Sequence, residues 1–401
     1  MENTNQSIKN RADKVFIGNY LRYPAAIVSG AGCELIDADG NRYLDFLSGI
    51  AVCALGHCHP AVTRAISEQA SRLVHVSNLY YTNPQTELAE LLVENTFADK
   101  VFMANSGAEA NEAAIKLARI ASGEGRYEII TLEGSFHGRT LATVAATAQP
   151  KFHQGFEPLP QGFVYAEFGD VGAIEQCITP QTCAIMCEPL QGEGGVRPLP
   201  EDYLQFLRHL CDKHSLLLVF DEVQTGMGRT GSLFAYQQLG VTPDIMTVAK
   251  ALGNGMPIGA MVTTEKLASA LVPGTHASTF GGNPVACAAA VATLKVMLAD
   301  GFLDEVQAKG DYFRARLAEV QQKHLGLCSH VRGMGLLNGL VMTEAGCERG
   351  ADIVNAMYDE HILINFAGNC ALRFAPPLIV DRTEIDRAIV ILDQVLGSQK
   401  A

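Results

Sequence analysis

The sequence predicts an α/β fold built around a mainly parallel β-sheet. Segments that are apolar along their whole length, such as "TCAIMC" (182–187) and "LLLVF" (216–220), alternate with helical patterns. A strand of this kind must be covered on both faces, which is typical of parallel sheets between two layers of helices. A polar residue follows each strand, and function in such sheets collects beyond the carboxyl ends of the strands.

The central elements follow this alternation in order. Residues 100–122 predict a short strand, a polar turn and a helix whose apolar residues lie three to four apart. Residues 127–140 predict a strand that runs into a glycine-containing loop, and 182–195 and 215–231 repeat that form. A further strand is predicted at 244–249. The polar residues that follow the strands are Ser106, Glu188, Asp221 and Lys250.

The pattern changes towards both ends of the chain. Residues 33–52 predict strands joined by an "ADG" turn, and "VRGMGLLNGLVM" and "CALRFAPPLIV" near the C-terminus are similar. We therefore expect a large central domain at 61–298. The two ends, 1–60 and 299–401, are expected to combine into a smaller α+β domain.

Charge and composition exclude some partners. The net charge of −13 argues against nucleic acid and anionic membranes, because both bind basic patches. No apolar run reaches the length of a transmembrane helix. The N-terminal "MENTNQSIKNRADK" lacks the apolar segment of a signal peptide. We expect a cytoplasmic protein.

The cysteines and histidines predict neither disulfides nor a metal site. Eleven cysteines are scattered without CxxC spacing, so we expect mostly small buried hydrophobes. His57, Cys58 and His59 of "GHCHP" have no second ligand pair at zinc-site spacing. A loop leading into a helix that begins at Pro60 is the expected structure there.

Lys250 is the first candidate catalytic residue. It ends an apolar segment and precedes the glycine-rich stretch "ALGNGMPIGA". An ordinary surface lysine is the alternative, but these neighbours leave little room for a solvated side chain. Partial desolvation lowers the pKa of a lysine from about 10.4, which makes the neutral amine available as a nucleophile.

Asp221 is the second candidate, because the strand before it has no structural need of a carboxylate. A buried aspartate requires a cationic or hydrogen-bonding partner. The protonated nitrogen of pyridoxal phosphate is such a partner. Capping of a helix or pairing with an arginine fits this residue equally well when it is taken alone.

A candidate phosphate site begins the helix after the first central strand. Asn105, Ser106, Gly107 and Ala108 form a turn of small residues there. Free backbone N–H groups and the helix dipole bind phosphate at such a terminus, although an ordinary N-cap looks the same. The pattern is neither GxGxxG nor a Walker loop, which disfavours dinucleotides and nucleoside triphosphates.

Together these motifs resemble one family. "LLLVFDEVQTGMGRTG", followed 29 residues after Asp221 by Lys250 of "DIMTVAKALGNGMPIGA", resembles the signature of the class III (ornithine-type) aminotransferases. The resemblance extends from about Tyr20 to about Pro377. It implies a fold type I pyridoxal-phosphate-dependent transferase with a mainly parallel seven-stranded sheet in the large domain.

The resemblance also implies roles for cofactor-binding residues. In the family, the lysine that matches Lys250 binds pyridoxal phosphate covalently and carries the proton between substrate Cα and cofactor C4′. Asp221 matches the partner of the pyridine nitrogen. The other matches are Ser106, Gly107 and Ala108 for the phosphate, Phe136 and Val223 for the ring faces, Gln224 for the 3-hydroxyl and Thr279 for the phosphate of the other subunit. A homodimer is therefore implied, and Ala108 replaces the threonine of many members.

Four further residues match substrate-binding positions. Arg373 of "CALRFAPPL" matches the arginine that holds the α-carboxylate of glutamate or 2-oxoglutarate, since its planar fork binds both oxygens. Glu193 matches the glutamate that neutralises this arginine when a basic substrate is bound. Arg139 matches the arginine for the donor carboxylate, and Tyr20 a tyrosine of the donor pocket.

The stretch 47–60 resembles the acetylornithine-using members, because Ile50 stands where ornithine δ-aminotransferases have a tyrosine. This implies transfer of the amino group from N2-acetyl-L-ornithine to 2-oxoglutarate, in arginine biosynthesis. Ornithine, succinylornithine, 4-aminobutyrate and succinyl-diaminopimelate stay open as donors. A related isomerase or decarboxylase would keep Lys250 and Asp221 without needing Glu193 and Arg373, and a non-catalytic binding protein would not need Lys250.

Overall fold

The computed structural model describes residues 3–368 and 370–399. Its strands are β1 Ile27–Ala31, β2 Glu34–Asp37, β3 Arg42–Asp45, β4 Lys100–Ala104, β5 Glu128–Leu132, β6 Phe163–Ala166, β7 Thr182–Cys187, β8 Leu190–Gln191, β9 Arg197–Pro198, β10 Leu217–Asp221, β11 Ile245–Val248, β12 Gly259–Thr263, β13 Cys328–Met334, β14 Leu337–Met342, β15 Ile362–Leu363, β16 Asn365–Ala367 and β17 Ala371–Phe374.

The helices are α1 Asn5–Ala12, α2 Ser48–Ala51, α3 Pro60–Arg72, α4 Asn83–Glu94, α5 Gly107–Ala121, α6 Leu141–Ala146, α7 Val171–Gln176, α8 Glu201–His214, α9 Ala235–Leu239, α10 Glu265–Ala268, α11 Pro284–Met297, α12 Phe302–Lys323, α13 Glu344–Glu348, α14 Gly350–Asp359 and α15 Arg382–Ser398. Two 3-10 turns lie at Pro150–Phe152 and Lys250–Gly253.

The predicted α/β fold with a mainly parallel seven-stranded sheet is confirmed. The strand order is β4-β12-β11-β10-β7-β5-β6, and only β12 runs antiparallel to its neighbours. Side chains alternate between two apolar layers, so Val219 packs with α5 on one face while Phe220 belongs to the larger core on the other. Burial on both faces explains why these strands are apolar throughout.

Both chain ends contribute to smaller sheets. β3 pairs in parallel with β15, which joins the first 45 residues to the C-terminal part of the chain in the sheet β1-β2-β3-β15. The strands β13-β14-β17-β16 form a separate antiparallel sheet. The division at residues 60 and 298 stays a prediction.

One predicted strand region is wrong in part. The strands expected within 33–52 exist as β2 and β3, but α2 is a single turn in which Ser48, Ile50 and Ala51 have φ of 47°, 70° and 58°. Asp45 fixes its start by accepting hydrogen bonds from the backbone N–H groups of Leu47 and Ser48. A side chain that caps the backbone locally overrides the alternating apolar pattern.

The expectation for the cysteines is also wrong at one pair. Cys347 and Cys370 form a disulfide, although 23 residues separate them in the chain. Six of the other cysteines are buried: Cys33, Cys183, Cys187, Cys211, Cys287 and Cys328. Among the described residues no single helix has the length and hydropathy to span a membrane; α11 and α12 reach that threshold only together, as a pair bent by 73°.

Candidate active site

The carboxyl ends of neighbouring strands form one cavity. Asp221 ends β10, and Lys250 begins the 3-10 turn after the adjacent parallel strand β11. The cavity has a volume of about 240 Å³. It is lined by Gly107, Ala108, Asn111, Phe136, His137, Gly138, Arg139, Glu188, Asp221, Val223, Gln224 and Lys250. Residues that are far apart in the sequence therefore share one site.

Asp221 is buried and fully hydrogen-bonded on one oxygen. Asn111 Nδ2 donates to Asp221 Oδ2 over 2.7 Å, and His137 Nδ1 lies 2.8 Å from the same atom. The second oxygen, Oδ1, accepts from the backbone N–H of Val223. Because an sp² oxygen has two acceptor directions, Oδ1 keeps capacity for another donor in the cavity.

Lys250 combines a strained backbone with a desolvated amine. Its φ of 45° lies in the left-handed region, which a residue with a side chain adopts at a cost. Burial lowers the pKa of the Lys250 amine, and Arg373 lowers it further, although Glu193 and Asp221 act in the opposite direction. The amine is therefore neutral more readily than that of an exposed lysine.

The N-terminus of α5 faces this cavity through Gly107 and Ala108. Ser106 is the N-cap, and its hydroxyl accepts from the backbone N–H of Glu109. A Cβ on Gly107 would lie 2.7 Å from Val223 Cγ1, so the approach of these two segments requires glycine. Ser106 occupies the N–H group of Glu109, whereas the N–H groups of Gly107 and Ala108 have no acceptor within the helix and are available to an anion.

Phe136 forms an aromatic wall with its neighbours. Its ring contacts Phe152 edge-on at a centroid distance of 5.8 Å. The exposed guanidinium of Arg139 lies 3.9 Å from the Phe152 ring and 5.4 Å from the Phe136 ring. Stacking on two rings holds this arginine at the mouth of the cavity.

Arg373 lies on β17 and is only 1% exposed. Its Nη1 donates to Glu193 Oε1 over 2.6 Å and to Gln224 Oε1 over 3.0 Å, and its Nε donates to Asn365. Burial alone would raise the pKa of Glu193, but Arg373 and Lys250 outweigh it and keep that pKa below its usual value. Nη2 of Arg373 is buried without a hydrogen-bond partner among the described residues.

Two buried glutamates hold the loops of the site. Glu188 follows β7 and accepts hydrogen bonds from the backbone N–H groups of Phe136 and Gly192. Burial raises the pKa of Glu188 to about 7. Glu222, next to Asp221, accepts from the backbone N–H groups at the start of α9 and from Thr225. Each carboxylate thus ties a cavity loop to a neighbouring element.

Five predicted site residues do not line this cavity, and two of them lie apart from it. Tyr20 is 69% exposed, with the guanidinium of Arg22 5.2 Å from its ring. Thr279 lines a separate groove of about 890 Å³ together with Leu79. Ser106, Glu193 and Arg373 do not line the cavity, but they adjoin residues that do.

Sequence reasoning missed the partners of Asp221. His137 directly follows Phe136 in "SFHGRT", and Asn111 lies one helical turn after Gly107, on the same face of α5. Both spacings are visible in the sequence. Only the fold shows that they meet Asp221, whereas nothing in the sequence pairs Glu188 with the backbone of residue 136.

This site and fold define a family. The family model "Aminotransferase class-III" matches residues 18–396. The chain belongs to the class III aminotransferases.

Particular members of that family are close relatives. The chain is 50% identical over 388 residues to the acetylornithine aminotransferase of Caldanaerobacter subterraneus subsp. tengcongensis, covering 96% of this chain and 98% of the relative. It is also 50% identical to the acetylornithine aminotransferase of Methanocaldococcus jannaschii, over 95% of this chain and 96% of the relative.

Solved structures share the fold over almost the whole chain. The ornithine aminotransferase of Toxoplasma gondii superimposes with a TM-score of 0.94 at 32% identity, covering 98% of this chain and 95% of that one. In a second structure of that enzyme, pyridoxal phosphate partially occupies the active site. The N-acetylornithine aminotransferase of Stenotrophomonas maltophilia gives 0.83 at 35% identity, covering 97% and 98%.

Glu222 predicts a pH dependence of stability. Burial raises its pKa to about 7, against the hydrogen bonds it accepts, whereas an unfolded glutamate titrates at about 4.3. Between these values the folded state binds the extra proton, so this contribution to stability is complete below about pH 4.3 and is lost as pH rises through 7. Glu222→Gln removes the titration. The wild type should therefore lose up to about 1.4 kcal/mol per pH unit relative to the variant.

Urea unfolding at half-unit steps from pH 4.5 to 8 measures this difference. The exposed Glu133→Gln is the matched control and should follow the wild type at every pH. A stability gap between the wild type and Glu222→Gln that stays constant with pH would contradict the assignment.

Proposed function

We propose that this protein transfers the δ-amino group of N2-acetyl-L-ornithine to 2-oxoglutarate, using pyridoxal phosphate. The products are N-acetyl-L-glutamate 5-semialdehyde and L-glutamate, and the reaction is a step of arginine biosynthesis. One observation carries the proposal: Lys250 and Asp221 line the same cavity, with the Glu193–Arg373 pair beside it. The two relatives at 50% identity support acetylornithine as the donor.

The residues fit pyridoxal phosphate in charge and in shape. Asp221 would hold the pyridine nitrogen protonated through Oδ1, and Lys250 would bind the aldehyde carbon. Ser106, Gly107 and Ala108 would bind the phosphate at the start of α5, where first-turn N–H groups are available. Phe136 and Val223 would cover the ring faces, with Gln224 beside the 3-hydroxyl. The bound group supplies an electron sink for the carbon that loses its proton.

Lys250 would move that proton. Its desolvated amine has a lowered pKa, so a neutral form is available as a general base near neutral pH. Proximity to Asp221 and Glu193 favours the protonated form again after the transfer, because both carboxylates attract the ammonium. The same side chain can thus accept and return a proton within one turnover.

Arg373 would bind a carboxylate of the acceptor, and the position of Glu193 would determine when Arg373 is free to do so. While Glu193 neutralises Arg373, the pocket suits a donor whose reacting end carries no carboxylate. When Glu193 withdraws, the guanidinium, with its unpartnered Nη2, can bind a carboxylate of 2-oxoglutarate with two hydrogen bonds. This exchange lets one pocket serve two substrates of different charge.

Donor selection would involve Arg139, Tyr20 and Ile50. Arg139 lies at the mouth of the cavity and carries the charge needed for the donor α-carboxylate. An aliphatic residue at position 50 suits an acylated amine better than the hydroxyl of a tyrosine would. Ornithine remains the second candidate donor, because an ornithine aminotransferase shares the fold with a TM-score of 0.94.

A donor panel tests the proposal. With 2-oxoglutarate fixed, kcat/KM for acetylornithine should exceed that for ornithine, succinylornithine, 4-aminobutyrate and succinyl-diaminopimelate by at least about tenfold, which corresponds to about 1.4 kcal/mol. Addition of the donor without acceptor should also bleach the cofactor absorbance. A higher kcat/KM for any other donor would replace acetylornithine in the proposal.

The Glu193–Arg373 pair predicts separable half-reactions. Truncating one member of a buried charge pair costs about 2–5 kcal/mol, or tens to thousands-fold in affinity. Arg373→Ala should therefore lose most of the 2-oxoglutarate half-reaction and retain much of the acetylornithine half. Glu193→Ala should favour dicarboxylates and weaken the acetylornithine half, because Arg373 is then unmasked.

Single-turnover rates with each substrate measure the two halves separately. Arg387→Ala, on the exposed side of α15, is the control for loss of an arginine and should match the wild type. Equal losses in both halves for both pair variants would show that the pair only stabilises the fold.

We also propose a homodimer in which Thr279 contacts the phosphate bound by the other subunit. Two large apolar side chains are exposed at this groove: Leu79, which lines it, at 83% and Phe280, which follows Thr279 in the chain, at 61%. Exposed apolar side chains beside a groove are typical of a protein interface. A second copy would bury these side chains and bring Thr279 to a site that its own chain does not reach.

Mixed dimers test this arrangement. Lys250→Ala dimers should be inactive and Thr279→Ala dimers impaired. When the two variant chains are unfolded together and refolded, hybrid dimers should regain one wild-type site each, because Lys250 and Thr279 then come from different chains. If the refolded mixture has only the mean activity of the Lys250→Ala and Thr279→Ala homodimers, Thr279 belongs to the site of its own chain.

A cytoplasmic location belongs to the same proposal. The cosubstrates 2-oxoglutarate and glutamate are intermediates of central metabolism, which supports it. Fractionation of cells that express a tagged chain would test the location, and recovery outside the cytoplasmic fraction would refute it.

A further inference from the structure

The disulfide between Cys347 and Cys370 lies close to the carboxylate-binding arginine. Cys347 belongs to α13, and Cys370 immediately precedes β17, which carries Arg373 three residues later. The two Cα atoms are 5.0 Å apart, within the usual range for a disulfide. Both residues are half-buried and pack against the core without being fully enclosed by it.

The turn that Cys370 anchors also touches the loop of Glu193. Gly368 has φ of 58°, and a Cβ there would lie 2.3 Å from the carbonyl carbon of Gly194. On the other side of this turn, Asn365 in β16 accepts from Arg373 Nε over 3.0 Å. The β16–β17 hairpin therefore positions Arg373 and its partner Asn365. It also contacts the loop that carries Glu193, another partner of Arg373.

The residues around the disulfide can also accommodate the two free thiols that reduction would produce. The carbonyl oxygen of Met342 lies 3.9 Å from Cys347 Sγ and 3.7 Å from Cys370 Sγ. Both distances are within reach of a weak S–H···O hydrogen bond. Each thiol would thus find an acceptor already in place after reduction.

We propose that Cys347–Cys370 is a reversible thiol–disulfide site that controls the affinity of Arg373 for dicarboxylates. A thiolate of a small dithiol attacks one sulfur, the S–S bond breaks, and the second thiol of the reagent displaces the first cysteine. The protein gains two electrons and two protons as two thiols, and the dithiol leaves as its cyclic disulfide. Oxidation by a small-molecule disulfide such as oxidised glutathione reverses the step.

The effect on the site follows from the tether. With the bond formed, the hairpin is fixed to α13, and Arg373 keeps the orientation that suits a carboxylate. After reduction the turn keeps its backbone hydrogen bonds, from Cys370 N–H to the Ala367 carbonyl and from Met342 N–H to the Cys370 carbonyl. It loses its covalent link to α13, so Arg373 is less preorganised. The identification of the dicarboxylate as 2-oxoglutarate rests on the proposed function, but the redox site and its effect on carboxylate binding do not.

A thiol count tests the covalent half of the proposal. Alkylation of the denatured, oxidised holoenzyme should label nine cysteines, and all eleven after treatment with dithiothreitol. Peptide mass mapping should assign the two additional labels to Cys347 and Cys370, and oxidised glutathione should remove them again. Eleven labels under both conditions, or an exchange that does not reverse, would overturn the proposal.

Binding of glutarate tests the functional half, because this dicarboxylate needs no turnover. Its Kd, measured by calorimetry on the holoenzyme, should rise on reduction by about two- to thirtyfold, the range expected for a coupled element. Cys347→Ser and Cys370→Ser should each bind glutarate with the weaker affinity of the reduced enzyme, and reductant should not change their Kd. The exposed Cys58→Ser should respond as the wild type does.

The two proposals fail in different ways. Equal Kd values in both redox states would make the disulfide a purely structural link and overturn this inference, whatever the enzyme catalyses. Loss of glutarate binding in both states would overturn it as well. Absence of amino transfer with every donor, together with redox-dependent glutarate binding, would overturn only the proposed function.

Discussion

The buried carboxylate of Asp221 is the interaction on which the cavity depends. A carboxylate that is 3% exposed must be surrounded by donors, since an unpaired buried charge is very costly. Asn111 from α5 and His137 from the loop after β5 supply them. Thr247 of β11 in turn donates to Asn111 Oδ1 over 2.7 Å. Two strands, a helix and a loop are thereby fixed relative to one oxygen atom.

The position of Lys250 beside Asp221 follows from the same packing of strands. Asp221 and Lys250 follow adjacent parallel strands, so the sheet register alone brings them to one edge. Their charges would attract, yet burial has the larger effect and the pKa of the lysine falls. Glu188 shows the same hierarchy, because burial raises its pKa despite the nearby His137. Desolvation therefore outweighs charge pairing at Lys250 and Glu188, whereas at Glu193 the charges of Arg373 and Lys250 outweigh burial.

The site residues differ in how far the sequence could predict their positions. Asp221 and Lys250 were predictable because an apolar strand followed by a charged residue is a local pattern, and parallel strands put such residues at one edge. Asn111, His137 and Glu188 were not, since their contacts span 26 to 110 residues and depend on tertiary packing. The pairing of Cys347 with Cys370 was not predictable either, because it also depends on tertiary packing. The roles of all the predicted site residues stay predictions, and Tyr20 and Thr279 in addition do not line the cavity within one chain.

The contacts and the exposure of Arg373 and Glu193 indicate which partner would move in the proposed exchange of substrates. Arg373 is held by Asn365, Gln224 and the β17 backbone, and its side chain is 1% exposed. Glu193 is 28% exposed and lies between Gly192 and Gly194. An arginine held from several sides and a more exposed glutamate would make the switch asymmetric. The carboxylate-binding geometry of Arg373 would then exist before the acceptor arrives, and only the carboxylate of Glu193 would have to move away.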